Sequence, residues 1–245
     1  MHYRKLRDKR GTPCAGNMMV VMKERLMKQQ KLVYQSGSLN LEGRLAIPSR
    51  AGAAAGVVLC HPHPLFGGTM NNNVISAVSR ALVEKGIATL CFNFRGVGQS
   101  EGSYDNGRGE ADDARAAVSF LAGREEIDSS RLGLAGYSFG GAIALLAGME
   151  DDTVKAVAAV SPAGLPEFGR AKPRLVVCGT WDSQIPVSKI LQEEERISGG
   201  GAGTVEIVEG ADHFWRGYEA VLADLVVTFF LRHLVNSAAT PNRPN

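Results

Sequence analysis

The sequence predicts an α/β domain built on a mostly parallel, twisted sheet with helices on both faces. Three observations predict it. Short apolar, β-branched runs alternate along the chain with stretches of helical spacing, the order expected when parallel strands are joined by helical crossovers. Most of the strand-like runs are apolar throughout, so both of their faces must be covered. The chain has 245 residues, 44% of them hydrophobic, which is enough for one domain with a large core, whereas two domains would both be small.

The elements follow in order. Leu32–Gln35 and Leu39–Ile47 read as an antiparallel pair joined through Ser36-Gly37-Ser38, because Leu39, Leu41, Gly43 and Leu45 alternate with polar neighbours. Gly56–Cys60, Ile87–Phe94, Leu132–Tyr137, Val154–Val160, Arg174–Cys178 and Thr204–Val208 are continuous apolar runs and read as strands buried on both faces. Residues 72–85, 110–123, 139–149, 186–197 and 215–234 carry helical spacing, as in Val74, Val78, Ala81 and Leu82, or Leu222, Leu225, Val226 and Phe229. Sheets of this kind gather their chemistry in the loops at the carboxyl ends of the strands. No internal repeat is present.

Composition bounds the rest. Residues 1–30 combine basic blocks with Gly11-Thr12-Pro13 and no sustained periodicity, and are expected to be a basic, disordered or weakly helical leader; 31–236 form the domain, and the polar, proline-containing stretch 237–245 is expected to fray. Residues 1–31 hold nine Lys/Arg against Asp8 and Glu24, a formal charge of +7; of the 27 basic and 25 acidic side chains of the whole chain, 18 and 23 remain for the body, which is therefore −5. An acidic body offers no broad cationic surface to a phosphate backbone, so no nucleic-acid partner is expected. No stretch approaches the roughly 20 apolar residues of a membrane-spanning helix, and Met18-Met19-Val20-Val21-Met22 is too short for a secretory signal core, so no membrane partner and a cytoplasmic location are expected. Cys60, Cys91 and Cys178 each lie in an apolar run, without a CxxC spacing, and read as reduced, buried thiols.

The chemistry concentrates at Leu132–Gly141, where a strand runs into Gly136-Tyr137-Ser138-Phe139-Gly140 and then into the helix-forming Ala142-Ile143-Ala144. A serine on so sharp a strand-to-helix turn needs small residues two before and two after it. The turn lifts its hydroxyl above the sheet, and the helix N-terminus behind it favours developing negative charge. A serine hydroxyl is a poor nucleophile until a base takes its proton, so a histidine is required. Of the five, His2 lies in the leader and His233 in the last helix. His61 and His63 follow a strand, and His213, in Gly210-Ala211-Asp212-His213, follows the last strand and precedes the last helix, where it is best placed to reach Ser138. The acid that orients the imidazole is then Asp182, on the loop after Arg174–Cys178, which gives the chain order Ser, Asp, His. Asp212 adjoins His213 too closely to face it, and Glu167 is a weaker alternative.

Together these positions resemble the α/β-hydrolase superfamily over residues 32 to 234. Cys60-His61-Pro62-His63-Pro64-Leu65-Phe66-Gly67-Gly68 is similar to its His-Gly-type oxyanion loop, as found in small, capless bacterial serine hydrolases resembling dienelactone hydrolase-like esterases, with Pro62 in place of the glycine. Asn93–Ser100 is similar to the loop after the next strand. The resemblance implies an α/β-hydrolase fold with the catalytic residues Ser138, Asp182 and His213. It also implies an oxyanion hole of two backbone N–H groups, one from Phe139 and the other from His63 or, alternatively, Leu65, since Pro62 and Pro64 have none. Metal binding by His61 and His63 lacks a third ligand, and Gly96-x-Gly98 has Glu101 where a dinucleotide turn needs glycine. No metal and no cofactor are therefore expected.

The implied function is cleavage of carboxylic esters or thioesters through an acyl-enzyme, with a small-molecule acyl substrate. A peptidase or amidase of the same fold and a non-catalytic binding protein are the alternatives, and a homodimer is left open. Only Ser161 to Pro173 separates the strand Val154–Val160 from the next, with prolines at 162, 166 and 173, so no helical cap domain fits there.

Overall fold

The computed structural model describes residues 27–49, 52–168 and 171–236. Most of the leader expected at 1–30 and all of the tail at 237–245 lie outside the described residues. Eight strands form one sheet in the order β1-β2-β4-β3-β5-β6-β7-β8. β1 (Met27–Ser36) and β2 (Leu39–Pro48) are antiparallel, and β2 is antiparallel to β4 (Ala88–Phe92). β3 (Ala54–Cys60), β5 (Ile127–Tyr137), β6 (Val154–Val160), β7 (Arg174–Gly179) and β8 (Gly203–Val208) continue the sheet in parallel. β1 begins four residues before the boundary expected at 31, because Met27–Gln30 pair with Leu45–Pro48.

The continuous apolar strands are explained by the two-residue repeat of a pleated strand. Val57 and Leu59 of β3 face one core and Val58 and Cys60 the other; in β6, Ala156, Ala158 and Val160 face the first and Val157 and Ala159 the second. The first core is closed by α1 (Asn73–Glu84) and α6 (Glu219–Phe230), the second by α2 (Arg108–Ala122) and α3 (Phe139–Glu150). β8 differs from expectation. It is an edge strand and none of its residues is fully buried: Val205 and Val208 are only partly covered, on opposite faces, and the strand has a neighbour along one edge alone.

The helix expected over 186–197 is two short ones, α4 (Val187–Gln192) and α5 (Glu194–Ser198). Three consecutive glutamates, Glu193 to Glu195, oppose the negative C-terminal end of a helix but suit the N-terminal turn of the next. The described residues between β6 and β7 contain no helix, and among the described residues no cap domain stands over the sheet.

Buried polar contacts fix the loops above the sheet. Arg95 donates from Nε and Nη2 to the two carboxylate oxygens of the fully buried Asp113, at 3.0 and 2.7 Å, and Ser36 donates to the same group at 2.7 Å. Glu110, also fully buried, accepts from the N–H groups of Asp105 (2.9 Å) and Gly107 (2.7 Å). These bonds hold the loop between β4 and α2, which carries Tyr104.

Candidate active site

Ser138 stands between β5 and α3 with φ 55° and ψ −118°, a conformation rare for a residue with a Cβ. Its N–H donates to Val160 O at 2.8 Å, tying the turn to β6. A Cβ on Gly136 would lie 2.0 Å from Gly140 O, and one on Gly140 would lie 2.3 Å from both Cys60 O and His61 O. The two glycines thus allow β5, α3 and the end of β3 to approach one another at the serine.

His213 Nε2 lies 3.1 Å from Ser138 Oγ, and His213 Nδ1 lies 2.8 Å from Asp182 Oδ2. Asp182 and His213 come from the loops after β7 and β8, and both are buried. Burial pushes the Asp182 carboxyl up, but hydrogen bonds from His213, the Ile185 N–H and the Ser161 hydroxyl outweigh it and hold the group below its usual 3.8. Ionised Asp182 can only accept, so Nδ1 carries the proton and Nε2 turns its lone pair to the Ser138 hydroxyl. The array can therefore take a proton from Oγ and hold the resulting positive charge.

The other acids stand elsewhere. Glu167 is 91% exposed and pairs with Arg196 at 2.9 Å. Asp212 is a turn former, accepting from the N–H groups of Phe214 and Trp215. His233 packs against Phe229 at the end of the last helix.

The N–H of Phe139 opens α3, and neither it nor the N–H of His63 has a hydrogen-bond acceptor among the described residues. The Leu65 N–H is occupied, donating to His63 Nδ1 at 3.2 Å. His61 is fully buried, its Nε2 3.1 Å from the Phe94 N–H and its Nδ1 2.6 Å from Pro62 O. An N–H can only donate and a carbonyl only accept, so His61 is the neutral Nδ1–H tautomer with neither nitrogen free for a metal ion. Among the described residues no cluster of three or more His, Cys, Asp or Glu is placed to hold one.

Burial lowers the pKa of His61 from 6.5 to about 4. The unfolded chain therefore takes up this proton first, and stability, full above pH 6.5, is lost as the pH falls towards 4. Between pH 7 and about 4.5 the wild type should lose about 2 kcal/mol more stability than His61→Gln in denaturant titrations. Parallel pH dependences would contradict this role.

Several supporting residues had no sequence signal of their own. Ser161, fully buried with φ 41°, accepts from Trp215 Nε1 at 3.2 Å and donates to Asp182. Tyr137 donates its hydroxyl to His213 O and packs its ring 5.4 Å from the imidazole. Both stand at the carboxyl end of a strand, which was the available clue.

The family described as alpha/beta hydrolase fold matches residues 57–214. The solved structure of an alpha-beta serine hydrolase homologue from Coxiella burnetii is 33% identical, covers 81% of this chain and 96% of its own, and superposes with a TM-score of 0.72. A serine hydrolase without a lid from Xanthomonas campestris is 27% identical, with 89% and 97% covered and a TM-score of 0.73. A dienelactone hydrolase from Anabaena variabilis, 21% identical, shares the fold over 85% of this chain and 99% of its own with a TM-score of 0.70. Among the described residues no helix is long and apolar enough to cross a membrane.

Proposed function

The chain belongs to the alpha/beta-hydrolase fold family, a fold that supports hydrolase activity, and on that premise we propose that it cleaves carboxylic esters or thioesters through an acyl-enzyme on Ser138. The observation that carries the reading is the continuous path Ser138 Oγ, His213 Nε2, His213 Nδ1, Asp182 Oδ2, with steps of 3.1 Å and 2.8 Å across the imidazole. His213 takes the Ser138 proton as Oγ bonds to the substrate carbonyl carbon. The oxyanion rests on the N–H groups of Phe139 and His63, helped by the positive end of α3. The imidazolium then gives its proton to the leaving oxygen or sulfur, whose bond to the carbonyl carbon breaks. Water, deprotonated by the same imidazole, releases the acid and restores Ser138. His63 is preferred to Leu65 as second donor because the Leu65 N–H is already bonded.

With no cap, a long flexible acyl chain finds little to bury each methylene, a gain of about 0.8 kcal/mol apiece where burial is complete. Among straight-chain acyl esters and thioesters of graded length, kcat/KM should be highest for the short ones, with no jump in rate when the substrate forms micelles. Rates that climb steadily beyond about eight acyl carbons would reveal a deep tunnel and contradict the open site; a panel with no turnover at any length would contradict the ester and thioester reading itself.

A further inference from the structure

Beside Ser138, four rings from three separate segments stand together. The His63 ring has those of Phe66, Phe139 and Tyr104 at 4.6, 4.8 and 5.0 Å, and Tyr104 and Phe139 are 5.8 Å apart. Phe66 belongs to the turn after β3, Tyr104 to the loop after β4, and Phe139 is the first residue of α3. Phe66 is 86% exposed, and the other three rings are partly exposed, so the cluster offers ring surface to solvent. Phe139 also packs against the core, but Phe66 is left open beside the other rings, and so large an exposed aromatic next to a candidate nucleophile points to something that covers it.

The strand order bears on which part of a substrate that is. β3 and β4 lie on one side of β5, and β6, β7 and β8 on the other. Asp182 and His213 reach Ser138 from the β7 and β8 side, whereas the rings stand on the β3 and β4 side. In the proposed reaction the leaving atom must lie within reach of His213 Nε2, and the carbonyl oxygen must lie against the N–H groups of Phe139 and His63. The remaining substituent of the carbonyl carbon is the acyl group, and the surface left for it, on the side away from His213, is the one that carries the rings.

We propose that the rings of Phe66, His63, Tyr104 and Phe139 form the acyl subsite, and that it takes a flat aromatic acyl group in preference to an aliphatic one of equal carbon number. This rests on the acyl-enzyme reading and adds the class of acyl group to it. A flat ring gains offset or edge-to-face contact with several rings at once without having to be enclosed, whereas an alkyl chain laid on an open wall leaves its far side in water. The short preference among straight chains and the aromatic preference at equal size thus share one cause, a wall without a roof.

The test compares ethyl phenylacetate with ethyl octanoate, two eight-carbon acyl groups on one leaving group, each kcat/KM normalised to the rate of hydroxide-catalysed hydrolysis. The wild type should favour phenylacetate by about tenfold. Phe66→Leu and Tyr104→Leu should each reduce that ratio severalfold; Phe66 is so exposed that its replacement leaves the fold intact even if Tyr104→Leu disturbs its loop. A wild-type ratio near one, or a ratio unchanged in both variants, overturns the acyl subsite while leaving the esterase reading standing. Failure to hydrolyse any ester, together with no fluorophosphonate labelling, overturns the esterase reading and the subsite with it.

Discussion

Ser138→Ala should lower kcat for a short acyl ester by about 10^5-fold or more, leaving only what the oxyanion donors and binding supply. Melting temperature should scarcely change, because alanine keeps the Cβ and hence the strained backbone at φ 55° and ψ −118°. Ser138→Gly should be equally inactive but more stable. Strain of this kind costs about 1–3 kcal/mol, and glycine removes it while adding about 0.5–1 kcal/mol of unfolded-chain entropy. The net gain of about 1 kcal/mol would raise Tm by a few degrees in a domain of this size. An active Ser138→Ala would remove the nucleophile from the account, and a destabilised Ser138→Gly would remove the strain.

Asp182→Asn should lower kcat by about 10^3- to 10^4-fold, with little loss of fold. The carboxylate accepts from the N–H groups of Gln184 (3.0 Å) and Ile185 (2.7 Å) as well as from His213. An amide in its place keeps one oxygen, which the two backbone donors on the Asp182 loop claim, and presents its NH2 to His213. Nδ1 must then accept, the proton moves to Nε2, and the lone pair that faced Ser138 is gone. Glu167→Gln should have no effect on kcat, since that carboxylate lies in solvent beside Arg196. The reverse outcome, with Asp182→Asn silent and Glu167→Gln crippling, would refute the assignment of the acid.

The parts of the fold legible in the sequence are those that repeat. A buried parallel strand writes itself as an unbroken apolar run, and Val154–Val160 is both the expected and the observed strand. The elbow was legible because its glycines are required by backbone atoms 2.0 to 2.3 Å from where a Cβ would be, a constraint that leaves a short, local trace. Position within the sheet leaves none. Thr204–Val208 reads as a strand covered on both faces, yet β8 is the edge, and only the packing of α5 and α6 decides how far it is covered.

The same holds at the site. Ser138, Asp182 and His213 could be singled out because each follows a strand in an order that chemistry constrains. Position after the strand favours His63 over Leu65 but does not separate them, since the difference is a 3.2 Å bond from the Leu65 N–H to a side chain two residues away. Nor could the aromatic wall be read from the chain, because Phe66, Tyr104 and Phe139 are brought together only by the order of β3, β4 and β5. Ser161 and Tyr137 support Asp182 and His213 across the sheet in the same way.

The most direct test of the acyl-enzyme is to mix the protein with a short p-nitrophenyl ester, quench in acid within the first turnover, and map the peptides by mass spectrometry. One acyl group should be found per chain, on the peptide that contains Ser138 and on that residue, and it should be missing from Ser138→Ala. An acyl group on any other residue, or product formed with the wild-type peptide unmodified at every quench time, would contradict the account.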